Sequence, residues 1–145
     1  ITLKASATMI ERWAYRSRAC LSMDSLIVIA DILAVSSRNN RRDRITGALV
    51  YSHGSFFQVI EGEVVDLERL MGRLSRDPRQ TDIKIVLQHP VDKRLFEDWS
   101  MTAPKITPAR QDEMSDAVEI SDRDAETAVA LLHRLAVEDA IHTPI

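Results

Sequence analysis

A chain of 145 residues, 45% hydrophobic and 28% charged, has the make-up of one soluble globular domain long enough to bury a core. A net charge of −3 offers no basic footprint for nucleic acid, and Cys20, the single cysteine, rules out an intramolecular disulfide, which fits a reducing cytoplasm. No signal peptide stands out and the apolar run from Leu26 to Ala34, broken by Asp31, is too short to span a bilayer, so the expected setting is cytoplasmic without a membrane partner.

Residues 1–9 carry no clear signal. Trp13, Tyr15 and Ser17 alternate with Ala14, Arg16 and Arg18, the period of a strand over Arg12–Arg18 with one wetter face. An inward Tyr15 needs a hydrogen-bond partner, which a backbone carbonyl would supply. Ser22 is placed to cap a helix from Asp24 to Ser37, with Leu26, Ile29, Ala30 and Leu33 at helical spacing. The run from Ser36 to Asn40 predicts its end. Asn39 and Asn40 read as capping or turn residues there, although the Asn40 carboxamide equally suits a planar heterocycle. Arg41, Arg42 and Arg44 read as a solvated loop or as neighbours of a phosphate.

From Ile45 to Gly62 the spacing predicts two strands joined at Ser52-His53-Gly54-Ser55, with Gly54 supplying positive φ. Ile45, Gly47, Leu49 and Tyr51 alternate with Thr46, Ala48 and Val50; Phe56, Gln58 and Ile60 alternate with Phe57, Val59 and Glu61. Both faces are largely apolar, so this hairpin belongs at the centre of a sheet covered on both sides. Gln58 does not fit that face. Its amide is either a core group met by backbone or water, which spacing alone favours, or a contact to a ligand held against the sheet.

Glu63 and Asp66 suit the first turn of a second helix, whose inward stripe is Val64, Leu67, Leu70, Met71 and Leu74 and which closes near Ser75–Pro78. A strand follows over Thr81–Leu87, with Ile83 and Val86 among its core candidates. A polar stretch from His89 to Asp98 leads to a short strand carrying Trp99, Ser100 and Met101; Trp99 and Met101, two apart, are expected on one face. Beyond Pro104 and Pro108, Ser121 is placed to cap a helix from Asp122 to about Asp139. Its stripe is Ala125, Ala128, Val129, Leu132, Leu135 and Ala136. The order β-α-β-β-α-β-β is the α+β, ferredoxin-like arrangement: a mixed sheet with two helices on one face and a C-terminal helical extension on the other. The expected division is residues 1–104 and an extension, 105–145, that caps the sheet, signals or oligomerises.

Four glycines and the absence of a glycine-rich nucleotide loop argue against a dinucleotide or Walker site. His53, His89, His133 and His142 lack metal-ligand spacing, Cys20 has no nearby histidine, and Glu61 with Glu63 does not by itself make an acid/base pair. An enzyme is the weaker class.

Several stretches together resemble the BLUF family of flavin-binding blue-light receptors: Ala14–Ala19 (AYRSRA), Arg38–Tyr51 (RNNRRDRITGALVY), Phe56–Gly62 (FFQVIEG), Arg76–Gln80 (RDPRQ) and Arg94–Met101 (RLFEDWSM). The resemblance runs from about Arg12 to Met101. It implies a flavin held non-covalently between the two helices on the sheet, FAD in most members, with FMN or riboflavin as the other occupants. Tyr15 matches the tyrosine that gives the photoexcited flavin an electron and a proton. Gln58 matches the glutamine that bridges this tyrosine and the flavin and then rearranges. Asn40 matches the asparagine on the pyrimidine edge, with Asn39 beside it; Ser36, Ile60 and Arg79 fall at flavin-lining positions. Trp99 and Met101 match the pair whose exchange reports the light state. Gln80 departs from the family, many members of which carry histidine there. The resemblance implies a short stand-alone receptor, not an enzyme, that signals to an unidentified effector protein, with a homodimer or larger assembly suggested by the amphipathic tail. The competing reading is a flavin-free ferredoxin-like interaction domain in which Tyr15 and Gln58 are satisfied core groups.

Overall fold

The computed structural model describes residues 9–20, 26–97, 99–104, 110–138 and 140–144. The central hairpin joins β2 (Thr46–Ser52) to β3 (Ser55–Glu63) through His53 and Gly54, at φ 49° and 80°. Two successive positive φ values make the tight turn whose twist matches the strands it connects. Flanking β3 is β1 (Ile10–Ala19), which also pairs antiparallel with β4 (Gln80–Val91) at the sheet edge. On the other side β5 (Trp99–Pro104) runs parallel to β2, and β6 (Ala140–Pro144) pairs antiparallel with β5. The order is β4-β1-β3-β2-β5-β6, with the hairpin inside as its apolar faces require.

The larger apolar core lies on one face of the sheet. Ala14, Ala48, Val50, Phe57 and Val59 pack there on α3 (Gln111–Ile120) and α4 (Ala125–Glu138) through Met114, Val118, Leu132 and Leu135. The other face carries α1 (Leu26–Asp43) and α2 (Val64–Ser75), and its apolar packing is divided. Trp13, Ile45 and Ile60 meet Leu67 and Leu70 of α2, while Leu49, Phe56, Met101 and Ala103 form a separate cluster with Ile32 of α1. The α+β ferredoxin-like arrangement is therefore the observed one. No described helix is long and apolar enough to cross a membrane.

Four local expectations change. The helix α1 runs through the asparagine pair and stops at Arg44, where φ is 55°. There Ile45 N–H bonds the Asn40 carbonyl at 2.8 Å and Arg44 N–H that of Arg41 at 3.4 Å, a left-handed C-terminal cap. The expected start at Ser22 and Asp24 lies outside the described residues. Second, β4 extends four residues past Leu87; as an edge strand it tolerates Pro90. Third, the tail is not one helix. Ser121 closes α3, its hydroxyl donating to the Val118 carbonyl at 2.6 Å, and Asp124 caps α4 through Thr127 N–H at 3.1 Å. The segment then returns as β6, so the extension adds a strand to the sheet as well as covering its far face. Fourth, Trp99 and Met101 lie on opposite faces. Trp99 packs toward α3 and α4 and Met101 toward α1, because a register shift falls between them.

Glu61 anchors the segment that leads into β5. It is wholly buried, yet each oxygen is met: Arg12 Nε donates at 2.8 Å, Phe96 N–H at 2.8 Å and Leu95 N–H at 2.9 Å. Arg94 adds bonds to the Glu61 carbonyl at 2.7 Å and Thr46 Oγ1 at 3.0 Å. Burial leaves the Arg94 guanidinium below its ordinary value, against the pull of Glu61 and Glu63.

Gly47 is required by close approach rather than by φ: a Cβ there would stand 2.1 Å from the Val59 carbonyl oxygen of the neighbouring strand. Gly47→Ala should cost about 1–3 kcal/mol, the usual range for overpacking a dense core. Thermal melting checks this, and an unchanged midpoint would contradict it.

Candidate functional site

The register of β1 on β3 sets Tyr15 directly opposite Gln58, both on the face that carries α1 and α2. The phenol donates to Gln58 Oε1, and Gln58 Nε2 donates to Met101 Sδ at 3.6 Å. The amide is thus oriented, oxygen toward the phenol and nitrogen toward the thioether. Its two ends are held unequally, since a thioether is a weak acceptor and the amide nitrogen has two protons to place. Tyr15 is 2% and Gln58 5% exposed. Burial raises the Tyr15 phenol well above its ordinary value; hydrogen bonding to Gln80 works against this and the charge of Asp77 adds to it.

The pair opens into a cleft lying where the apolar packing of this face is divided. Its lining adds Ser36 from α1, Leu49 and Phe56 from the hairpin, Asp77 and Arg79 from the turn after α2, and Gln80 from the start of β4. Ser17, two residues from Tyr15 on the same strand face, donates to Gln80 Oε1 at 2.5 Å. Arg79 closes on Asp77 with Nη2–Oδ2 at 2.8 Å, and that guanidinium holds the Asp77 carboxyl below the usual range. Beside the cleft, Asn40 Nδ2 donates to the Ser100 carbonyl at 2.9 Å, and the Ser37 and Ser100 hydroxyls are 2.9 Å apart. Asn40 Oδ1 is buried and meets no donor among the described residues. An amide oxygen left this way costs about 1–3 kcal/mol, so the position fits a ligand that brings an N–H.

The structure thus gathers Tyr15, Ser36, Gln58, Arg79 and Gln80 around one opening, with Met101 and Asn40 against it. Three residues expected at the site are elsewhere. Ile60 packs under α2, Asn39 is half-buried on α1 outside the lining, and Trp99 is behind the sheet. Asp77, Ser37, Ser100 and the anchoring role of Glu61 escape sequence reasoning. Only Glu61 carried a signal, a charge alternating with Phe57 and Val59 on an apolar face.

Residues 10–102 match the family model described as sensors of blue-light using FAD. Among curated proteins, the beta subunit of a photoactivated adenylate cyclase from Euglena longa is 37% identical over 73 residues, half of this chain but 8% of that protein. The solved dark-state structure of BlrB, a BLUF protein, superposes with a TM-score of 0.70 at 32% identity, covering 88% of this chain and 95% of that one. A bacterial light-regulated adenylyl cyclase superposes with a TM-score of 0.68 at 30% identity, over 87% of this chain and 40% of the cyclase. The chain thus spans a small part of the cyclases it matches.

The raised Tyr15 phenol gives a pH prediction with a definite sign. The unfolded chain ionises first, so the associated stabilisation is whole below about pH 10 and is lost as the pH climbs from there toward the folded value. Tyr15→Phe, which cannot ionise, should show a shallower alkaline loss. Urea denaturation of both forms across about pH 9–11.5 checks it, and equal slopes would contradict it.

Proposed function

The chain belongs to the BLUF family of blue-light sensors that use FAD, and on that premise we propose that Tyr15 and Gln58 are its photoactive pair. The observation that carries this is the oriented amide: a buried phenol donating to its oxygen, while its nitrogen faces only a weak acceptor. A flavin bound in the cleft supplies a ring that absorbs blue light and, when excited, is a strong oxidant. Ser36, Arg79 and Gln80 are the lining groups for it, and Asn40 Oδ1 is the open acceptor for the imide N–H of such a ring. Ile60, packed under α2, and Asn39, half-buried beside Asn40 on α1, are outer members of the same assignment.

Tyr15 is the group placed to release an electron with its proton, because its hydroxyl already points at Gln58 Oε1. Burial disfavours its phenolate, so the electron leaves together with the proton rather than after it. Gln58 then trades its ends by rotation or tautomerisation, so that a donor replaces an acceptor without any covalent bond being made to the protein. Met101 is the third member, since it holds the nitrogen end before the exchange; Trp99 acts from behind the sheet. FAD is the occupant favoured by family, with FMN or riboflavin as the alternatives.

The output we assign is protein–protein: the change at Gln58 biases the packing of β5 and the tail, which binds an effector protein or a second copy of this chain. Cyclase activity belongs to relatives of which the matched segment is a small part. The flavin-free interaction domain is disfavoured by the orphaned Asn40 oxygen, which a purely structural role leaves unmet.

Purified protein should be yellow, with an absorption band that shifts slightly to the red under blue light and recovers in the dark. Tyr15→Phe and Gln58→Leu should each retain the colour and lose the shift. A normal photocycle in either variant, read by absorption, would overturn the assignment.

A further inference from the structure

We propose that Ser37 and Ser100 form a latch that holds β5 in the register presenting Met101, rather than Trp99, to Gln58. The proposal rests on the sensor reading for its role, and on the β5 geometry for its existence.

In the ladder between β5 and β6, Trp99 pairs with Pro144 and Met101 with Thr143. Two steps on β5 thus oppose one on β6, which makes Ser100 the extra residue of a bulge. Side chains alternate with period two, so a regular strand would put Trp99 and Met101 on one face. The bulge is the point at which the choice of face is made. A slip of one residue would reverse it.

Ser100 is gripped there from the neighbouring helix. Its hydroxyl is 2.9 Å from Ser37 Oγ, and its carbonyl accepts from Asn40 Nδ2 at 2.9 Å. Ser37 is 4% and Ser100 1% exposed. Both hydroxyls are buried, so pulling them apart carries the cost of a lost buried hydrogen bond, which opposes movement of β5 at this point. With the latch closed, Met101 Sδ stays 3.6 Å from Gln58 Nε2 and Trp99 stays packed toward α3 and α4. Ser37 does not line the cleft, so it is a positioning residue acting through β5.

The test uses the whole chain with Trp13→Phe as the background, which leaves Trp99 as the single tryptophan, labelled as 5-fluorotryptophan and read by fluorine NMR in the dark. Ser37→Ala and Ser100→Ala should each move the ratio of the two Trp99 resonances by roughly fivefold toward the Gln58 side, the ratio expected from losing one net hydrogen bond. The double variant should move it no further than either single one, because both remove the same bond. Ser37→Thr, which keeps the hydroxyl, should stay near the background ratio. Dark recovery of the absorption shift should change in step with that ratio. An unmoved Trp99 resonance in both alanine variants, or a double variant whose shift is the product of the singles, overturns the latch. The ratio needs no flavin, so a colourless protein would count against the sensor reading while the latch is still decided.

Discussion

A buried carboxamide held firmly at one end and loosely at the other is the constraint from which the rest of this molecule follows. Gln58 cannot leave the core, because the strands on both sides of it are internal to the sheet. Nor is it fully satisfied there, because its nitrogen faces a thioether. A buried amide held in that way is the element that the proposed switch, which makes no covalent bond, would use. The hold is unsymmetrical: the phenol end has a strong partner and the thioether end a weak one.

The surrounding fold sets that amide beside an opening. The face under α3 and α4 holds the larger apolar core. The opposite face is divided into two apolar clusters, one under α2 and one beside α1, and the polar opening lies between them. Around it, charges are tied off locally: Asp77 by Arg79, and Glu61 by Arg12 and the backbone of Leu95 and Phe96. Breaking a buried pair such as Glu61 with Arg12 typically costs about 3–5 kcal/mol, so the segment entering β5 has a fixed origin. The bulge of β5 lies beyond that anchor, one residue from Met101.

Much of this was legible from the chain. Alternation over Trp13–Arg18 and across the Ile45–Gly62 hairpin is enough to mark the strands and the face that Gln58 shares with Phe56 and Ile60, and the stripes of α2 and α4 are periodic enough to orient both helices. That Tyr15 meets Gln58 is implied by the family resemblance and seen in the register of β1 on β3. What failed depended on partners distant in sequence. Asn39 and Asn40 are turn formers locally, yet α1 continues through them, with the Asn40 side chain bonded to a carbonyl sixty positions away. Trp99 and Met101 obey a two-residue period only in a regular strand, and the bulge that separates them exists only against β6. That strand, Ala140–Pro144, is five residues with a terminal proline, too short for periodicity to announce.

The claim that matters is that the amide of Gln58 changes which of its ends gives a proton. Light-minus-dark infrared difference spectra of the flavin-loaded protein, with glutamine side chains labelled with nitrogen-15, report on that amide directly. A downshift of the flavin C4 carbonyl stretch, accompanied by label-sensitive bands that vanish in Gln58→Leu, is the predicted result. A difference spectrum with no label-sensitive band would contradict the account.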